Sequence, residues 1–151
     1  MALYLVQHGK ALSGGADPGL SDDGKADANR IATVARDYHV PVAGIIHSGR
    51  KRALETALIY ATVLGPGIPV EEAPGMGPGD DIASFAAGLD LTHNRMYIGH
   101  LPFMEKLASY LVAGETARPV FKFQNAGIVC IDLNQDTGTP VIIWSLMPHI
   151  Q

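Results

Sequence analysis

Three short apolar runs in this chain each end in a residue able to handle an anion. Leu3 to Val6 runs into Gln7, His8 and Gly9, Gly44 to Ile46 into His47 and Ser48, and Met96 to Ile98 into Gly99 and His100. If the runs are parallel neighbours in one sheet, their carboxyl ends lie together, at the edge where open α/β sheets bind ligands. Two histidines and a basic helix start then share one crevice.

The segments between the runs carry a different period. Gly24 to Tyr38 places Ala28, Ile31, Ala32, Ala35 and Tyr38 at helical spacing, and Gly49 to Leu64 does the same with Leu54, Ala57, Leu58, Ala61 and Leu64. Gly65-Pro66-Gly67 stops the second helix. Pro74 to Gly79 reads as a loop, followed by a helix over 80–89 whose first turn holds Asp80 and Asp81, which suit the helix dipole. A further helix is expected over 101–112, with Pro102 at a tolerated early position. The last third reads as strands over 120–123, 126–133 and 140–146, with a turn over 134–139. Alternating strands and helices specify an α/β layer fold. With 151 residues and no internal repeat or linker, the expectation is a single domain over 1–151.

A hydrophobic fraction of 47% with 17% charged residues is that of a compact globule rather than a disordered chain. The net charge of −4 argues against nucleic acid or an anionic membrane held by bulk electrostatics, so any cationic site must be local. The start shows no basic leader, and no apolar run approaches the roughly 18 residues of a membrane span, so the chain reads as cytoplasmic. Its one cysteine, Cys130, lies within Ile128-Val129-Cys130-Ile131 and is expected to be a buried small hydrophobe.

Arg50, Lys51 and Arg52 crowd the first turn of the second helix. Cations there oppose the macrodipole by a few tenths to about 1 kcal/mol each, and the free amide groups already make that end positive. Something anionic should offset them. Phosphate is the natural candidate, since helix N-termini bind it through backbone donors and arginine grips it with a two-pronged geometry. The plainer alternative, side chains pointing into water, suits Lys51 and one arginine but not all three.

These residues, in this order, resemble the histidine phosphatase superfamily and, within it, small phosphohistidine phosphatases of the SixA type. The carriers are Gln7-His8-Gly9 in place of Arg-His-Gly, Leu20-Ser21 ahead of Gly24, Ser48-x-x-x-Arg52-Ala53-x-x-Thr56, and the late Gly99-His100. The resemblance covers nearly the whole chain. It implies a three-layer α/β/α sandwich around a mostly parallel sheet, phosphoglycerate-mutase-like, needing neither metal nor other cofactor. It implies that His8 attacks phosphorus through one ring nitrogen while a backbone carbonyl holds the other protonated. Arg52 would hold the phosphoryl oxygens and His100 would donate a hydrogen bond to them. Gln7, Gly9, Lys10, Ser48 and Arg50 complete the expected phosphate-binding set.

Two departures bear on activity. Gln7 replaces an arginine, so a charge-assisted contact of about 1.5 to 3 kcal/mol becomes a neutral one of about 0.5 to 1.5 kcal/mol, with Lys10 or Arg50 as candidate compensation. In larger relatives that cleave sugar phosphates a glutamate stands in the segment that here reads Pro74 to Gly79, and no carboxylate stands there. An alkoxide leaving group needs a proton donor, whereas the leaving nitrogen of phosphohistidine can itself be protonated. Glu71, Glu72, Asp80 and Asp81 flank the loop and are read as solvated.

The expected substrate is therefore a phosphohistidine on a partner protein, either a phosphotransfer domain or a phosphocarrier. The alternatives are a phosphatase for a small phosphate ester and a non-catalytic phosphate- or phosphoprotein-binding module. A nucleotide-binding domain lacks its G-x-G-x-x-G after the first strand. His47 lies nearest the crevice among the other histidines, His39, His93 and His149 have no expected role, and Asn125 reads as a turn former. Tyr4, Phe121 and Trp144 fit packing.

Overall fold

The computed structural model describes residues 1–150. Ten elements follow in the order β1 (Leu3–Gln7), α1 (Asp22–Asp37), β2 (Gly44–His47), α2 (Lys51–Leu64), β3 (Val70–Glu72), α3 (Ile82–Ala87), β4 (Arg95–Gly99), α4 (Phe103–Ala113), β5 (Ile128–Leu133) and β6 (Pro140–Leu146). They build one sheet in the order β3-β2-β4-β1-β5-β6. β3, β2, β4 and β1 run parallel, and β5 and β6 close the far side antiparallel. Every side chain of β2 is buried, as is all of β1 before Gln7 and all of β4 after Arg95. Strands of this kind need cover on both faces.

The cover is divided by strand parity. Tyr4, Val6, Ile45, Met96, Ile98, Ile128 and Cys130 face α1 and α2, which meet them with Ala28, Ile31, Ala32, Ala35, Ala53, Ala57 and Tyr60. Leu3, Leu5, Ile46, Tyr97, Val129 and Ile131 face the other way, against Ile82 of α3 and Phe103, Met104, Leu107 and Ala108 of α4. The result is the expected three-layer sandwich. Alanines on α1 and α2 let these helices lie close to the sheet and to each other, so enlarging one would overpack the core at about 1 to 3 kcal/mol. Cys130 sits in this layer, 1% exposed, and burial pushes its thiol up to about 12, so it is a packing residue and not a nucleophile.

Local chemistry sets the helix starts. Ser21 caps α1, its Oγ accepting from Gly24 N at 3.0 Å while its hydroxyl donates to the Lys10 carbonyl. A β-carbon on Gly24 would overlap that same carbonyl, and buried Leu20 packs on Gly9. The Leu20-Ser21-x-x-Gly24 spacing thus clamps the loop after His8 onto the start of α1.

Several boundaries differ from expectation. The helix over 80–89 is only Ile82–Ala87: Asp81 is its cap, accepting from Ser84 N, and Asp80 is spent on Gly77 N. Pro102 caps α4 instead of lying in its first turn. β3 was not expected, being a three-residue edge strand too short for a period. The expected strand over 120–123 does not form. Both sides of β1 are taken by β4 and β5, so this segment packs irregularly, with Phe121 and Phe123 edge to face at 5.8 Å and Val120 N on Ser109 Oγ. It joins the sheet only through an isolated bridge from Asn125 to Gln7. Among the described residues no helix is long and apolar enough to cross a membrane.

Candidate active site

Gln7 and Gly99 are register partners at the carboxyl ends of β1 and β4, so the residues that follow them, His8 and His100, leave the sheet side by side. Their ring centroids lie 5.0 Å apart. β2 ends on the other side of β4, which brings Ser48 Oγ to 2.5 Å from His100 Nε2. From the start of α2, Arg52 donates through Nε to His8 Nε2 at 3.3 Å. The three runs singled out in the sequence therefore do converge on one crevice.

His8 is held from several directions. Its Nδ1 lies 2.6 Å from the Gly9 carbonyl, which can only accept, so Nδ1 carries the proton and Nε2 presents a lone pair toward Arg52. The Gly9 amide donates to Thr56 Oγ1 at 2.9 Å, and Thr56 in turn donates to the Arg52 carbonyl. Gly9 is thereby corrected: its amide is committed to Thr56 and its carbonyl to His8, so it orients the imidazole and has no donor left for phosphate. Asn125 Nδ2 donates to the His8 carbonyl at 2.8 Å, which makes it an anchor of the His8 backbone and not merely a turn former. Ala126, in left-handed conformation, adds its amide to the Gln7 carbonyl, and its own carbonyl accepts from the buried Tyr60 hydroxyl.

Electrostatics keep both imidazoles neutral. Burial lowers the His8 pKa, with the Arg52 guanidinium adding to the effect and the Gly9 carbonyl opposing it. His100 is pushed down to about 4, first by burial, then by His8, Arg52 and Arg50, against a small opposing pull from Asp17. A neutral His8 can act as a nucleophile and a neutral His100 can act as a hydrogen-bond donor. Gln7 Oε1 and His100 Nδ1 are the buried side-chain polar atoms without a partner among the described residues, and both belong to this crevice. Such orphans are rare in native proteins, and a catalytic role is one of the reasons a fold keeps them.

The remaining predicted residues are spread around this centre. Arg50, exposed, lies close enough for its charge to act on His100. Lys10 is exposed and lines a cleft on the far side of Gln7. Lys51 is exposed, yet its backbone amide is capped by both carboxylate oxygens of Asp17, at 3.1 and 3.3 Å. The anion that the basic helix start called for is thus, in part, supplied by the protein's own loop between β1 and α1. No spacing in the sequence links Asp17 to residue 51, so it could not be found there.

Two further residues stand beside the crevice. Glu72 is exposed, as expected, and leans over Gly49 so closely that a β-carbon there would overlap its carboxylate. It also opposes, by its charge, the burial that lowers the pKa of His47. Its signal would have been β3, whose pairing sets Glu72 beside His47. His47 itself is buried and accepts from Gly49 N through Nδ1 at 3.1 Å, a loop-shaping contact. Among the described residues no group of three or more His, Cys, Asp and Glu side chains is arranged to hold a metal ion.

A family model for the histidine phosphatase superfamily (branch 1) matches residues 3–77, which include His8, the Leu20-Ser21 clamp and Arg52. The chain belongs to the histidine phosphatase superfamily. Its fold is close to that of the protein histidine phosphatase SixA complexed with tungstate, at a TM-score of 0.82 and 23% identity over 98% of this chain and 97% of that one. A protein from Agrobacterium tumefaciens named for the phosphohistidine phosphatase SixA gives 0.77 at 23% identity, with 97% of each chain covered. Phosphoserine phosphatase from Entamoeba histolytica, in complex with 3-phosphoglyceric acid, gives 0.65 at 18% identity over 95% of each. No curated protein sequence matches this chain significantly. Within this superfamily fold, β1, α2 and β4 bring His8, Arg52 and His100 together, with Gln7 at the edge of the same group.

Proposed function

We propose that this histidine phosphatase removes the phosphoryl group from a phosphorylated histidine of a partner protein. The observation that carries the reading is the state of His8: Nδ1 pinned to the Gly9 carbonyl, the Nε2 lone pair held only by a 3.3 Å hydrogen bond from Arg52 Nε, and the His100 ring at 5.0 Å. In the first step Nε2 of His8 forms a bond to phosphorus as the bond to the substrate nitrogen breaks, and that nitrogen takes a proton. In the second, water attacks phosphorus, the bond to His8 breaks, and inorganic phosphate leaves. Arg52 and His100 stabilise the charge on the phosphoryl oxygens in both steps. The reading is supported by the likeness to SixA-type folds and by the absence of a carboxylate from Pro74 to Gly79, where buried Met76 faces Gly99. The chain is proposed to work as a single domain over 1–151.

One observation favours a second reading, cleavage of a small phosphate ester. Glu72 is a carboxylate at the rim, beside Gly49 and near Ser48, where an ester's leaving oxygen would need a proton. The test is turnover of a phosphohistidine peptide and of p-nitrophenyl phosphate by wild type and His8→Ala. Loss of at least about a thousandfold on both substrates is expected for His8→Ala, with a phosphoenzyme trapped on His8 in the wild type. Binding without turnover in the wild type would leave only a phosphate-binding module, and turnover of the ester alone would select the second reading.

A further inference from the structure

Gln7, at the edge of the crevice, also lines a neighbouring cleft of about 440 Å³, with Lys10, Leu101, Lys122 and Asn125 among its other walls. Its other polar groups are satisfied internally. Asp27 is held by Arg30 at 3.0 Å and by His149 at 2.9 Å, and Gln124 exchanges two hydrogen bonds with the His149 backbone, at 2.8 and 3.0 Å. Lys10 and Lys122 are different: both are exposed, and neither makes an ion pair among the described residues. In a chain of net charge −4, a cleft whose two uncommitted side chains are ammonium groups is a local positive field.

The cleft shares Gln7 with the phosphoryl crevice, and Asn125 of its wall holds the His8 carbonyl. A substrate whose phosphoryl meets His8 therefore has this cleft beside it, within reach of the part of the molecule next to the phosphoryl group. We propose that Lys10 and Lys122 form a second anion subsite that receives an acidic side chain adjoining the phosphohistidine of the partner protein. This deepens the phosphatase reading and rests on it. A segment of polypeptide fits better than a small metabolite because the lysines stand on the exposed flanks of an open cleft, where a long substrate can reach both. The subsite also answers the exchange of arginine for glutamine at position 7. Orientation lost with the guanidinium is recovered from charges placed further along the substrate.

The test uses the full chain and two phosphohistidine peptides, one flanked by glutamates and one by glutamines. Each is measured as a substrate and as a competitive inhibitor of p-nitrophenyl phosphate hydrolysis. The wild type should favour the acidic peptide by about fivefold in kcat/KM, the scale of two exposed ion pairs, and the preference should shrink toward one near 1 M salt. Lys122→Gln should reduce it to about twofold and Lys122→Glu should abolish or reverse it. A ratio near one in the wild type overturns the subsite even if both peptides are dephosphorylated. A fivefold ratio in inhibition constants with no peptide turnover keeps the subsite and removes the phosphohistidine phosphatase reading. A preference confined to 3-phosphoglycerate over glycerol 3-phosphate overturns the assignment to a protein substrate.

Discussion

Two clefts of this molecule differ in kind. One is the crevice between His8, Arg52 and His100; the other lies at the opposite end of β1, behind Tyr4, with Tyr38, Val40, Pro41 and Trp144 around a cavity of about 370 Å³. The second has one imidazole, His39, in a wall that is otherwise mostly aromatic and apolar. The Tyr4 hydroxyl donates to the Pro41 carbonyl at 2.9 Å, and burial pushes its pKa up to about 12, so it stays protonated. In the crevice two imidazoles are kept neutral by burial and by arginine, and two buried polar atoms lack partners. Reactivity is located by what the fold has left unsatisfied, not by volume.

Arg52→Ala should widen that contrast most. Losing the guanidinium should lower kcat/KM for an aryl phosphate by about 10²- to 10³-fold, as for removal of an oxyanion donor. It should also move the acid limb. Arg52 helps depress the His8 pKa, so its removal lets that pKa rise toward 6.5, and activity should fall off at a higher pH than in the wild type. A pH profile of kcat/KM reads both, and an unmoved acid limb would break the electrostatic link between Arg52 and His8.

Gln7→Arg comes next. It replaces an amide whose Oε1 is buried without a partner by a cationic fork at the end of β1. The difference between neutral and charge-assisted contacts, about 1 to 1.5 kcal/mol, corresponds to roughly a tenfold gain in kcat/KM. A loss would show that the pocket is adapted to glutamine, with the anchoring charge placed at Lys10 and Lys122 instead.

How far the sequence could be read follows the same division. β1, β2 and β4 were legible because each is a buried apolar run ending in chemistry, and His8, Ser48, Arg52 and His100 sit at fixed spacing from those ends. Thr56 was legible as a motif residue, but its task, holding the Gly9 amide, was not, because the contact spans 47 positions. Asp17, and the place of the exposed Glu72 over Gly49, were not legible for one reason: each reaches the site through a loop or an edge strand with no period of its own. The expected strand over 120–123 failed because alternation of Phe121 and Phe123 records their edge-to-face contact with each other, and an apolar alternation does not say whether a neighbouring strand has a free edge.

The smallest effect on catalysis belongs to the other cleft, and it is the sharpest check on the contrast. Trp144 lies on the edge strand β6, tilted against Tyr4 with ring centroids 5.9 Å apart. Trp144→Ala removes that wall. A fully buried Trp loses about 3 to 5 kcal/mol on such truncation, and Trp144 is only half-buried, so about 1 to 3 kcal/mol of stability should go. For a chain of this size that is a fall in Tm of roughly 2 to 12 °C. Since Tyr4 and His8 are separated along β1 and share no hydrogen-bond partner, the losses should not couple, and kcat/KM should stay within about twofold of the wild type with the acid limb in place. Thermal unfolding alongside the pH profile measures both. A tenfold drop in kcat/KM at full folding would mean that the aromatic cleft acts on His8 through β1, and the two regions would then be one device rather than two.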